Sequence, residues 1–175
     1  MSPRHAEEAS RTDRSSRRIP LPGTLNLRDV GGYPTSDGRT VRWRTLLRSA
    51  DRALPGLIHC SAGKDRTGLV AALVLEVIGV PDEIIAADYA LSAENLDADT
   101  AQFISQIQAI SGGHRLDLGV LGSPPELILA TLARVRDQAG SVAAYLIRHG
   151  LPQPAIDSLR GALVVASPDG GSLPP

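Results

Sequence analysis

Apolar residues form a few short clusters in the first third of the chain and longer helical runs after residue 67. Residues 1–18 carry Ser, Glu and Arg with almost nothing to bury, which predicts a disordered arm. Pro20 and Pro22 stiffen the approach to the folded part. Asn26 to Tyr33 predicts a short extended piece ending in the Gly31-Gly32 turn, and the Asp37-Gly38 step marks another turn. Val41 to Arg48 alternates in part, with Trp43, Leu46 and Leu47, and predicts one strand. After Ala53-Leu54-Pro55-Gly56 comes a very short apolar strand, Leu57 to Cys60.

The rest reads as helices. They are predicted from about Thr67 to Ile78, from Pro81 to about Asn95, and from Asp97 to Ile110. Gly112-Gly113 breaks the pattern, and residues 112–122 read as a loop. Ser123, Pro124 and Glu126 have the arrangement of a capping box for a helix running to about Ala139. A shorter helix spans Ser141 to His149, stopped by Gly150 and Pro152, and a last one covers residues 153–165. The whole predicts one domain over 19–166 and a disordered Pro-, Gly- and Ser-rich tail over 167–175. Trp43 and Tyr33 are expected in the core, and Tyr89 is expected to pack on its helix. His5, His114 and His149 read as surface or loop residues.

Composition narrows the function. The net charge of −1 gives no general attraction to nucleic acid. No apolar run is long enough to span a bilayer: the longest, Leu69 to Val80, is 12 residues and contains Glu76. No signal peptide is evident, so a cytoplasmic location is expected. One cysteine excludes an internal disulfide. Of the 18 basic residues the only lysine is Lys64, four positions after that cysteine. Arg is a planar fork and Lys a compact point charge, so the exception suggests a need specific to this place.

That place is the string His59-Cys60-Ser61-Ala62-Gly63-Lys64-Asp65-Arg66-Thr67-Gly68, set between an apolar strand and an apolar helix. Successive backbone N–H groups converge on one centre when a loop wraps round an anion, and the first turn of a helix adds unpaired N–H groups and a positive dipole end. Gly63 lets the backbone bend closely; Arg66 can return to the rim and grip two phosphate oxygens. The same field favours the thiolate of Cys60, whose free pKa is about 8.5, as a nucleophile at neutral pH. His59 is expected to orient the loop, and the Thr67 hydroxyl to donate to the sulfur. Ser61, Ala62, Gly63, Lys64 and Thr67 are the candidate substrate-binding residues. Asp65 is the candidate proton donor to the leaving oxygen, with an anchoring role for the loop amides as the alternative; Asp29 and Asp51 are weaker candidates. No metal or other cofactor is expected.

The string resembles the loop of the bacterial tyrosine phosphatases whose signature reads His-Cys-x-x-Gly-Lys-Asp-Arg-Thr-Gly, a family with a secreted mycobacterial member of broad specificity. Asn26-Leu27-Arg28-Asp29-Val30-Gly31-Gly32-Tyr33 is similar to the family's N-terminal motif. Val41 to Ala50 and Gly140 to Leu146 also fit it. The resemblance implies an α/β fold of the cysteine-phosphatase type, with the loop at the end of a central strand and a helical C-terminal half. It implies hydrolysis of phosphotyrosine, and also of phosphoserine, phosphothreonine and phosphoinositides. Cys60 is then the nucleophile and Arg66 the clamp, with Lys64 and Asp65 shaping substrate choice and proton transfer and Arg28 and Asp29 beside the loop. Phosphorylated proteins or phosphoinositides are the expected partners.

The chain departs from the family in one respect. Several dozen residues that members carry between Ser49-Ala50-Asp51 and the cysteine strand are missing, so a narrow sheet with an exposed edge is expected. Two other readings follow: a phosphate-binding relative without turnover, and a sulfur-transfer enzyme. The second is disfavoured by Lys64-Asp65-Arg66-Thr67-Gly68.

Overall fold

The computed structural model describes residues 17–19, 24, 26–50, 57–60, 63–97 and 122–167. All but the first residue of the expected helix over Asp97 to Ile110, almost all of the loop over 112–122, Asp51, His5 and His114 lie outside these residues, as do most of the arm and tail. A three-stranded sheet has the order β1 (Arg28–Asp29), β3 (Leu47–Ser49), β4 (Leu57–His59). β1 runs antiparallel to β3, and β4 parallel to it with Arg48 opposite Ile58. A separate antiparallel pair joins β2 (Thr40–Val41) to β5 (Val164–Val165). Among the described residues β4 has β3 as its one strand neighbour, which matches the narrow sheet the shortened sequence implies.

Among the described residues five helices follow β4: α1 (Asp65–Val77), α2 (Asp82–Asp97), α3 (Pro125–Ala139), α4 (Val142–Arg148) and α5 (Gln153–Leu163). The apolar run after the loop makes α1 the centre of the molecule. Its Ala72 and Leu75 are buried with Ile85, Ala86 and Tyr89 of α2, Ile128, Leu132 and Val135 of α3, Val142 of α4 and Ile156 of α5. Arg136 of α3 bonds Glu76 of α1 and both carboxylate oxygens of Asp82, tying three helices at their rim. No helix among the described residues is long and apolar enough to cross a membrane.

Four expectations are corrected. Val41 to Arg48 is two strand ends around a turn, because the Asp29 carboxylate takes the Arg44 N–H at 2.7 Å where Arg44 has a φ of 55°. Trp43 lies on that turn and is 43% exposed, so it is outside the core. The last helix stops at Leu163: the two β-branched valines that follow suit extended backbone and pair with β2. Ser123 does not cap α3, whose N-cap is Pro124; the serine hydroxyl instead accepts from Ala93 N at 2.8 Å and donates to Ala90 O at 3.2 Å, both on α2.

Two residues of the expected arm, Arg17 and Arg18, lie on the fold. Arg17 is buried, donates to Gly31 O, and stacks its guanidinium 3.7 Å from the centre of the Tyr33 ring. Arg18 forms an antiparallel bridge with Arg28.

Candidate active site

The site begins where β4 ends. Cys60 follows the strand directly and is half-buried, and α1 starts five residues later with Lys64 as its N-cap. Between them Gly63 has a φ of +62°, a conformation that side chains resist. A Cβ there would lie 2.5 Å from the backbone of Ser49 and Ala50, so the loop is pressed against the end of β3 and only glycine fits.

The carbonyls of this turn face the protein interior. Gly63 O accepts from Asn26 Nδ2 at 3.1 Å and from Arg48 Nη2 at 3.0 Å. The Lys64 carbonyl lies 3.4 Å from the same Arg48 nitrogen and accepts from Gly68 N at 2.7 Å. In a trans peptide the N–H points opposite to the C=O, and no cis bond is present. The amides of Lys64 and Asp65 therefore point away from Arg48, the orientation an anion-holding loop requires.

Arg48 is itself held by a buried network. Its Nη1 donates to Asp88 Oδ1's twin, Oδ2, at 2.6 Å, and its Nη2 lies 3.3 Å from Ser92 Oγ. Arg28 binds the other side of Asp88, Nε to Oδ1 at 3.2 Å and Nη2 to the Asp88 carbonyl at 2.8 Å. It also donates to Ser92 Oγ and to Asn26 Oδ1, and the Tyr33 hydroxyl donates to Asp88 Oδ1 at 2.9 Å. Burial opposes ionisation of Asp88, but Arg28 and Arg48 more than offset it and hold its carboxyl well below the usual carboxylate range. Burial, then the neighbouring charge of Arg28, pushes Arg48 down to about 10, so it stays charged at neutral pH. Burial, followed by the Asp88 charge, pushes the Tyr33 phenol up.

The remaining expected residues divide. Arg66 is exposed on the first turn of α1, where a solute can reach it. Asp65 is also exposed; its Oδ1 lies 3.3 Å from Lys64 Nζ and accepts from the Tyr89 hydroxyl at 3.4 Å. Tyr89 thus reaches the loop, its ring close enough to Gly68 that a Cβ there would come within 2.7 Å. Burial, then the charge of Asp65, raises the Tyr89 phenol. Thr67 is buried and its hydroxyl has no hydrogen-bond partner, so the expected donation to sulfur is not seen. Ser61 and Ala62 lie outside the described residues.

Three placements differ from expectation. Lys64, expected to bind substrate, is buried, with Nζ donating to Gly122 O at 2.9 Å and lying 3.3 Å from Asp65 Oδ1. His59 is exposed at the end of β4, and among the described residues its side chain makes no hydrogen bond to the loop. Asp29 serves the β1–β3 turn through Gly31 N and Arg44 N instead of the loop. Arg28 acts on the loop at one remove, through Asn26 and Asp88. An open cavity of about 560 Å3 bordered by Ile19, Asp29, Trp43, Arg44 and Leu47 includes no described loop residue. Among the described residues no group of three His, Cys, Asp or Glu could hold a metal ion.

Sequence reasoning assigned no role to Asn26, Arg48, Asp88 or Ser92. The signal was present in part: Asp88 and Ser92 fall at helical spacing with Ile85 and Leu96 on the buried face of α2. A charge on an apolar face requires a buried partner.

A parallel strand that delivers a cysteine into a tight glycine loop, followed at once by a central helix, defines the cysteine-phosphatase architecture. The Tyrosine phosphatase family model matches residues 19–54 and 50–165, and the chain belongs to that family. The two matched segments overlap at residues 50–54, the place where the family's longer stretch is expected to be missing. The chain is 34% identical over 145 residues to the triple specificity protein phosphatase PtpB of Mycobacterium tuberculosis, covering 75% of this chain and 52% of that one. It is also 34% identical over 116 residues to a tyrosine-protein phosphatase of Nostoc commune, covering 59% and 37% of the respective chains. A putative tyrosine-protein phosphatase of Cupriavidus necator is 46% identical over 53 residues. The chain thus spans about half the length of the first of these relatives and less of the others.

Proposed function

We propose that the chain is a cysteine-dependent phosphatase acting on phosphotyrosine, and also on phosphoserine, phosphothreonine and phosphoinositides. The observation that carries this reading is the turn at Gly63, whose inward carbonyls leave the amides of Lys64 and Asp65 facing outward beyond Cys60. The names of the relatives support the same class.

In the first step the Cys60 thiolate attacks phosphorus, the bond to the leaving oxygen breaks, and that oxygen takes a proton from Asp65. Phosphocysteine then loses its phosphoryl group to water, whose proton returns to Asp65, and the thiolate is restored. Loop amides and the Arg66 fork hold the charge on the equatorial oxygens in both steps. The protein acts in the cytoplasm in this reading.

Purified protein is expected to release phosphate from an aryl phosphate in the presence of a chelator, and Cys60→Ser to abolish the release. Equal activity of the two proteins refutes the assignment. Saturable vanadate binding without turnover identifies the phosphate-binding relative instead.

A further inference from the structure

We propose that Arg48 and Asn26 are positioning residues that set the reactivity of Cys60 by holding the loop from behind. The inference deepens the phosphatase reading and rests on it for its significance. Neither residue needs to touch a substrate. Both are almost completely buried, on the side of the loop opposite its outward amides. Between them they saturate Gly63 O, a carbonyl that would otherwise be free to rotate.

The effect on sulfur follows from peptide geometry. If the Gly63 peptide turns over, its carbonyl oxygen replaces the Lys64 N–H on the ligand side. A negative dipole end then faces the anion site where a positive one stood. A thiolate at Cys60 is stabilised by outward N–H groups and opposed by an outward carbonyl. The fork of Arg48 is suited to this task because one guanidinium spans three groups: Asp88 through Nη1, and Gly63 O and Ser92 Oγ through Nη2. A lysine ammonium is a single point and cannot span them. Asn26 makes its bond from a φ of 55°, a left-handed conformation that Asn tolerates better than most residues, and Arg28 and Asn95 hold its amide oxygen.

Cys60 is the only cysteine in the sequence, so its rate of alkylation by iodoacetamide reports on one thiol. The pH dependence of that rate gives the midpoint of thiol ionisation, whether or not the protein turns over substrate. The proteins are wild type, Arg48→Lys and Asn26→Ala, each assayed well below its melting temperature. Wild type is expected to show a midpoint below the free-thiol value of about 8.5. Arg48→Lys keeps the charge and Asn26→Ala is neutral, so neither alters the net charge near the sulfur. Both are expected to raise the midpoint by about one pH unit, a tenfold change in the thiol–thiolate equilibrium. Unchanged midpoints in both variants, with wild type depressed, overturn the proposal and leave the phosphatase reading standing. A wild-type midpoint at the free-thiol value removes the anion-loop reading itself. Should Arg48→Lys fail to fold, Asn26→Ala decides alone, because it leaves the buried charges in place.

Discussion

Asp88 Oδ2 and Arg48 Nη1 lie 2.6 Å apart with both side chains almost wholly withdrawn from solvent. A lone charge in such a place is costly, and this pair is completed by Arg28 and Tyr33. The cysteine loop therefore rests on a charged foundation. Its carbonyls are fixed by a guanidinium that would not stay buried without Asp88.

Removing that carboxylate leaves two uncompensated guanidinium groups in the interior. Asp88→Asn is expected to destabilise the fold by about 3–5 kcal/mol, the range for breaking a buried ion pair from one side. Urea unfolding followed by circular dichroism measures it. A loss under about 1 kcal/mol would contradict the role given to the network.

The same group fixes an acid dependence. Its folded-state pKa lies below the ordinary carboxylate value of about 3.9, so its contribution is complete above that value and is lost as pH falls through it toward the folded value. Asp82 acts in the same direction, through its bonds to Arg136, and Glu76 in the opposite one, through burial. The wild-type urea midpoint should thus fall steeply from about pH 5 to pH 2, and the Asp88→Asn midpoint should fall less. Parallel curves would remove Asp88 as the source.

Glycines at two turns separate close approach from backbone conformation. Gly63 and Gly38 both have positive φ, 62° and 80°. A Cβ at Gly63 meets the backbone of Ser49 and Ala50, whereas one at Gly38 meets nothing within 4 Å. Gly38→Ala is expected to cost about 1 kcal/mol and to keep full phosphate release. Gly63→Ala should cost more and lose activity by at least about a hundredfold, as misplaced loop groups do. Thermal melting and aryl phosphate turnover on the two variants compare them directly.

A proton donor matters in proportion to the basicity of the leaving oxygen. Asp65→Asn is expected to slow hydrolysis of an alkyl phosphate by about 100- to 10,000-fold and of a nitrophenyl phosphate far less. Steady-state kcat on the two substrates tests this. Equal losses on both would show that Asp65 only shapes the loop, through its contacts with Lys64 and Tyr89.

Local patterns carried much of the architecture. The order of strand, cysteine loop and apolar helix is contiguous in sequence, so β4, the loop and α1 could be read directly. The short helix expected from Ser141 also forms, with Ser141 as its N-cap and its hydroxyl accepting from Ala144 N at 3.0 Å. Ser123 shows the limit: the same residue type in a similar setting spends its hydroxyl on α2, a partner thirty residues away that no local pattern reveals. Lys64 is a similar case. Its position in the loop suggested substrate, and a partner distant in sequence, the Gly122 carbonyl, also meets its ammonium, beside Asp65. Arg48 on β3, Asp88 on α2 and Asn26 just before β1 are far apart in sequence, and each looks unexceptional until the fold brings them together.

The pairing of β5 with β2 has a consequence for how the protein is made. Thr40 and Val41 leave the ribosome long before Val164 and Val165, the residues they pair with. Arg42 likewise waits for Leu163 O, which its N–H meets at 2.6 Å. The β2–β5 pair therefore cannot close until more than a hundred residues after β2 have been made, so this part of the fold depends on a contact of long sequence separation, which slows its formation.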